Sequence, residues 1–116
     1  MVLWIGFDLQ AEIEAGDDYN WTALHFAARF GKEAVAAQLL QAGASVSAVD
    51  NVYGSTPLHI AALNGKSLIA YTLLQANASP TAVDKNGDTP AQYAEQRGHG
   101  DLAARLLKAE QAAALK

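Results

Sequence analysis

The chain has 116 residues, a formal charge of −4 and an apolar share of 51%, enough for one compact unit or a short stack of repeats. It contains no cysteine, which excludes disulfides, thiolate chemistry and sulfur-ligated metals and suits a reducing compartment. The modest acidity argues against a nucleic-acid partner, which would call for a basic stripe.

The first segment, Met1 to Phe7, is apolar but has no basic flank and soon meets Asp8. It is too short for a membrane span and makes a poor secretory signal. The expectation is a soluble chain with no membrane partner, in the cytoplasm or elsewhere inside the cell. Asp8, Glu12, Glu14, Asp17 and Asp18 meet no Lys or Arg before Arg29, so this edge is acidic and reads as solvated.

Beyond it the chain repeats itself. Thr22-Ala23-Leu24-His25, Thr56-Pro57-Leu58-His59 and Thr89-Pro90-Ala91-Gln92 recur at intervals of 34 and 33 residues. A self-similar period in that range signals a stacked array. The first unit, residues 17–49, continues with Ala27-Ala28, Gly31 and Leu39-Leu40, then Gly43-Ala44. The second, 50–83, has Gly54 before its threonine, then Ala61-Ala62, Gly65, Leu73-Leu74 and Asn77-Ala78. The third, 84–116, has Gly87, Ala94, Gly98 and Leu106-Leu107.

Each element has a mechanical reason. Pro57 and Pro90 fall where a first helical residue needs no backbone donor, and the threonine before each can cap the open N–H groups. Alanine pairs let helices approach closely. The glycines at 31, 65 and 98 fall where a short helix must stop in a left-handed turn. Asn77 replaces Gly43, and Asn20 replaces Gly54 and Gly87; asparagine is the next best residue for positive φ. The leucine pairs fall on the second helix and are expected to face the first.

These residues resemble the ankyrin repeat family over about residues 17 to 116. The resemblance implies an all-α solenoid: a β-turn, two antiparallel helices and a returning loop per unit, with fingers projecting from stacked helix pairs. It also implies a concave face that binds other proteins. About three full repeats are expected, after a partial N-terminal cap in residues 1–16. One period back, Ala11 to Ala15 lies over Ala44 to Ala48. Residues 1–10 then read as the second helix of a truncated repeat with Leu3 and Phe7 inward, or as a short strand from Val2 to Phe7. Either way, Trp4, Ile5 and Phe7 would cover the open apolar end of the first unit. At the other end, Leu102 to Gln111 runs on in helical register with Arg105, Lys108, Glu110 and Gln111 as a polar outer side, as a capping repeat requires.

His25 and His59 invite a metal or catalytic reading. They occupy equivalent places one repeat apart, ~10 Å by helix-packing distances, too far for joint ligation of one ion at ~2 Å. Each imidazole is expected to bond the threonine region and the neighbouring unit's loop, with Gln92 keeping part of that role and His99 acting at a turn. Asp17, Asp50 and Asp84 read as turn-forming side chains. No serine has a local base and no phosphate loop follows a strand. Neither enzyme chemistry, a metal nor any cofactor is therefore expected.

The positions free to vary on the implied face are the finger tips and the inner side of each first helix. They are Tyr19, Trp21, Arg29 and Phe30 in the first unit, and Asn51, Tyr53, Ser55, Leu63 and Asn64 in the second. In the third they are Lys85, Asn86, Asp88 and Arg97. Asp18, Val52 and Gln96 flank them. The aromatic members suit hot spots for a protein partner, while Phe26, Ile60 and Tyr93 are assigned to the core. The second finger has one extra residue before its glycine and is expected to be longer or bulged, pushing Tyr53 outward. The sequence thus reads as a non-catalytic binding module for an unidentified protein, in a monomeric chain. Two rivals stay open: self-association through the apolar start into a homodimer, and a regulatory subunit or a fragment of a longer array.

Overall fold

The computed structural model describes residues 18–115. Three threonines in extended backbone, Thr22, Thr56 and Thr89, are the N-caps of α1 (Ala23–Phe30), α3 (Pro57–Leu63) and α5 (Pro90–Gln96). Each is followed by an antiparallel second helix: α2 (Glu33–Gln41), α4 (Ser67–Gln75) and α6 (Gly100–Ala114). No strand occurs among the described residues, so the architecture is all-α, as the repeat pattern implies. The first helices stack as α1 on α3 on α5, and α2 packs beside α4.

The turn within each pair is set by glycine. Gly31, Gly65 and Gly98 have φ of +69°, +68° and +79°, where a Cβ would be strained. At Gly65 the constraint is doubled, because a Cβ would lie 2.8 Å from the His99 ring. Asn20 and Asn77 adopt φ of +62° and +72°, the left-handed backbone their positions require.

The units are tied together by imidazoles. His25 Nδ1 accepts the Thr22 N–H at 3.1 Å, so the ring proton resides on Nε2, which donates to the Ser55 carbonyl at 2.9 Å. The second unit repeats this. His59 Nδ1 accepts the Thr56 N–H at 3.1 Å, and Nε2–H donates to the Asp88 carbonyl at 2.9 Å. One side chain thus caps its own helix and holds the next unit's loop. Gln92 accepts the Thr89 N–H at 2.8 Å, keeping the cap in the last unit without the bridge. His99 is the N-cap of α6 and reaches back to the Leu63 carbonyl.

The fingers follow the same logic. Asp50 Oδ1 accepts from the amides of Val52, Tyr53 and Gly54, while Oδ2 accepts from Ser55 N–H. Asp84 Oδ1 accepts from the Asn86 and Asp88 amides. Neighbouring fingers are joined by Asn51 N–H to the Tyr19 carbonyl and Lys85 N–H to the Tyr53 carbonyl, each at 2.8 Å. The extra residue of the second finger is absorbed inside the loop that Asp50 cradles, and Tyr53 points outward. Asp17 lies outside the described residues.

Burial shows which way each unit faces. Ile69 and Leu102 are 1% and 3% exposed, but Val35 at the same place in the first unit is 45% exposed. Leu39 is half-buried where Leu73 and Leu106 are fully buried. Among the described residues, nothing covers the first unit's N-terminal side. The expected cover, Trp4, Ile5 and Phe7, lies outside the described residues, as does the partial leading repeat. At the opposite end α6 runs for 15 residues against nine in α2 and α4, with Arg105 over the Tyr71 ring and Lys108 and Gln111 exposed. The leucine pairs only partly face the first helix. Leu106 is buried, but Leu107 turns outward, because adjacent helical residues differ by about 100° in direction.

Burial holds the pKa of His59 below 6.5, despite the Asp88 carbonyl and the nearby carboxylates of Asp84, Asp50 and Asp88 that favour its charged form. The unfolded chain therefore takes up the proton first. Stability from this group is complete above about pH 6.5 and falls as the pH drops through that value toward the folded pKa. A scan of thermal midpoint should show a decline from about pH 7 to 5 that is weaker in His59→Gln, since glutamine keeps the cap without titrating. Parallel profiles would contradict this.

Candidate functional site

Stacked first helices and fingers enclose a groove of about 950 Å³. Its floor is laid by Phe26, Ile60 and Tyr93, the residue after the His or Gln of each unit, with Trp21 and Leu63 beside them. Trp21 packs on His25 and Phe26, with ring centroids 5.5 and 5.1 Å apart. One wall carries Arg29, Asn64, Gln96 and Arg97 at the helix ends. The other carries Tyr19, Val52, Tyr53, Asn86 and Asp88 from the fingers.

Of the thirteen residues expected on this face, ten line the groove: Tyr19, Trp21, Arg29, Tyr53, Ser55, Leu63, Asn64, Asn86, Asp88 and Arg97. Phe30, Asn51 and Lys85 are exposed but lie outside it. Phe30 supports the Arg29 guanidinium 5.3 Å above its ring. Lys85 Nζ donates to the Asn51 carbonyl and braces the fingers.

Ser55 requires a correction. It touches the groove, but it is buried rather than solvent-facing. Its amide bonds Asp50, its carbonyl accepts from His25, and its hydroxyl lies 2.9 Å from the Tyr93 hydroxyl. A residue with all three groups engaged inside the stack is not free to meet a partner. Leu63 and Asn64 are also less open than expected, both half-buried. Asn64 donates its side-chain amide to the Ile60 carbonyl.

Phe26 is the opposite case. The repeat phase assigns it to the core with Ile60 and Tyr93, yet it is 38% exposed. The equivalent residues are covered by the unit before them, and no described residue plays that part for Phe26. The floor itself was missed as a surface. Its signal is the common phase of positions 26, 60 and 93, which puts three large side chains in one row.

Beneath the floor lies a buried polar chain. Tyr93 donates its hydroxyl to Asp84 Oδ2 and accepts from Ser55 Oγ, while its ring meets His59 edge-on at 4.7 Å. Burial, with the Asp84 hydrogen bond, pushes the Tyr93 phenol well above its ordinary range. Burial also pushes the Asp84 carboxyl up. The bonds from Tyr93, Asp88 and Asn86 outweigh it and leave the carboxyl below its ordinary value. Removing the phenol leaves a buried carboxylate oxygen without its donor. Tyr93→Phe should therefore lose about 1–3 kcal/mol in denaturant unfolding, whereas Ser55→Ala, which spares the Asp84 bond, should lose less. Equal losses would place the energy elsewhere.

Among the described residues there is no cluster of three or more His, Cys, Asp or Glu fit to hold a metal. Nor is any helix there long and apolar enough to cross a membrane. What the geometry offers is a shaped, aromatic, solvent-open surface on a tied scaffold. A search of curated proteins returns no match. A family model described as ankyrin repeats (3 copies) matches residues 4–84 and again 47–115. Members of this family are generally protein–protein interaction modules and are typically not catalytic. With the threonine caps, imidazole bridges and stacked helix pairs all in phase, the chain belongs to the ankyrin-repeat family.

Proposed function

We propose that this chain is a non-catalytic adaptor that binds a partner protein in the groove between its fingers and its first helices, within the cell. The observation that carries this is Tyr53. It is 59% exposed on a finger held by three Asp50-mediated amide bonds and by Lys85 N–H to its own carbonyl. A large aromatic ring on a fixed backbone loses little entropy on contact, and such residues dominate binding energy. Tyr19 presents a second ring, equally exposed, on the preceding finger.

Trp21 is a different kind of contact. Being half-buried against His25 and Phe26, it supports the floor as well as forming it. Tyr53→Ala should leave stability within about 0.5 kcal/mol while weakening partner binding by about 2 kcal/mol or more. Trp21→Ala should cost roughly 1–2 kcal/mol in both. Paired capture from source-cell extract, with the native chain against a Tyr19→Ala/Tyr53→Ala bait, tests the reading directly. A protein held only by the native bait supports it; identical captures would move binding off the groove.

A second reading rests on the N-terminal side of the first unit, where Val35 and Phe26 are exposed at positions buried in the later units. Two chains could cover these faces mutually and form a homodimer. Light scattering checks this: a mass that rises with concentration and falls back in Val35→Asp supports the dimer, and a constant monomer mass removes it. The residues beyond the described stack, or upstream repeats in a longer chain, are the other covers for that side.

A further inference from the structure

The charges that line the groove do not follow the acidity of the chain. Of its carboxylates, Asp50 and Asp84 are consumed by the amides of their own fingers, and Asp84 also by Tyr93. Asp88 remains, half-buried at the third finger. On the opposite wall Arg29 and Arg97 are both exposed. Arg29 rests on the Phe30 ring, which fixes the guanidinium without neutralising it. Neither arginine has a carboxylate partner among the described residues. In a chain of net charge −4, the groove wall is thus locally cationic, with unspent charge at each end and Leu63, Asn64 and Gln96 between.

Resting on the protein-binding reading above, we propose that the occupant is an extended acidic segment of a partner protein. Two of its carboxylates would meet Arg29 and Arg97, and apolar side chains between them would seat on Leu63 and Tyr53. The two arginines stand in the first and third units, two stacking steps or ~16–20 Å apart. An extended chain rises ~3.3 Å per residue, so the carboxylates fall about five or six residues apart. Guanidinium groups pair with carboxylates in a fixed, two-pronged geometry. The spacing therefore selects among acidic segments rather than admitting any of them.

The test is selection from a phage-displayed random library of peptides about twelve residues long. The full chain is the target, and the selected peptide is then titrated against Arg29→Glu/Arg97→Glu and against Tyr53→Ala, with folding checked by circular dichroism. Selected peptides should be acidic, with two carboxylates about five or six residues apart around an apolar stretch. Their affinity should fall roughly tenfold or more on charge reversal and weaken as salt rises from ~50 to ~500 mM. Peptides that are not acidic, or that lose binding in Tyr53→Ala but not on charge reversal, would overturn the acidic occupant while leaving the groove as a protein site. No enrichment, or binders indifferent to both variants, would overturn the groove reading itself. Tighter binding of a labelled single-stranded oligonucleotide than of any selected peptide would assign the arginines and aromatics to nucleic acid instead.

Discussion

The hydrogen bond from an imidazole Nε2 to the next unit's loop carbonyl decides most of what this molecule can do. His25 and His59 are fully buried, where a polar ring with one unpaired nitrogen would be costly. The threonine amide takes one nitrogen and the loop of the following unit must take the other. Helix start, finger position and inter-unit spacing are therefore fixed by one side chain in each of the first two units. The neutral ring is the only form that serves both partners, since Nδ1 must accept and Nε2 must donate.

That coupling explains how a short helical stack presents a surface. Fingers without strand pairing would be mobile if only their own turns held them. Here the second and third fingers are cradled by Asp50 and Asp84, bonded to their neighbours through Tyr19 and Asn51 or Tyr53 and Lys85, and gripped from the preceding unit through Ser55 or Asp88. The groove wall is thus set before any partner arrives, and binding is spared the entropy of ordering it. The Ser55–Tyr93–Asp84 chain adds a second tie at the last junction, beside the His59 bridge to the Asp88 carbonyl.

Much of this was legible in the sequence because the period exposes each position three times. The threonine caps, the turn glycines, the aspartate turns and the asparagines at positive φ all follow from the chemistry of one residue type at one phase. The bridging role of His25 and His59 was legible for the same reason. Ser55 was misplaced because its neighbours in phase, Trp21 and Asp88, line the groove more openly, and only the tertiary packing of Tyr93 against it reveals its burial. Phe26 was misplaced for the converse reason, since periodicity assigns equal burial to equivalent residues, whereas burial depends on what precedes each unit. The cationic wall was illegible as charge. Composition counts Asp50 and Asp84 equally with the arginines, and only their hydrogen bonds show that they are already spent.

The central claim is that recognition occurs on the preorganised groove and not on the outer helices. Amide hydrogen exchange of the chain, free and saturated with a partner it captures, tests this most directly. The account predicts added protection at the finger amides of residues 52–55 and 86–88 and near the helix ends at residues 63–64 and 96–97. The second helices α2, α4 and α6 should stay unchanged. Protection confined to the exposed sides of those second helices, with the fingers unaffected, would contradict it.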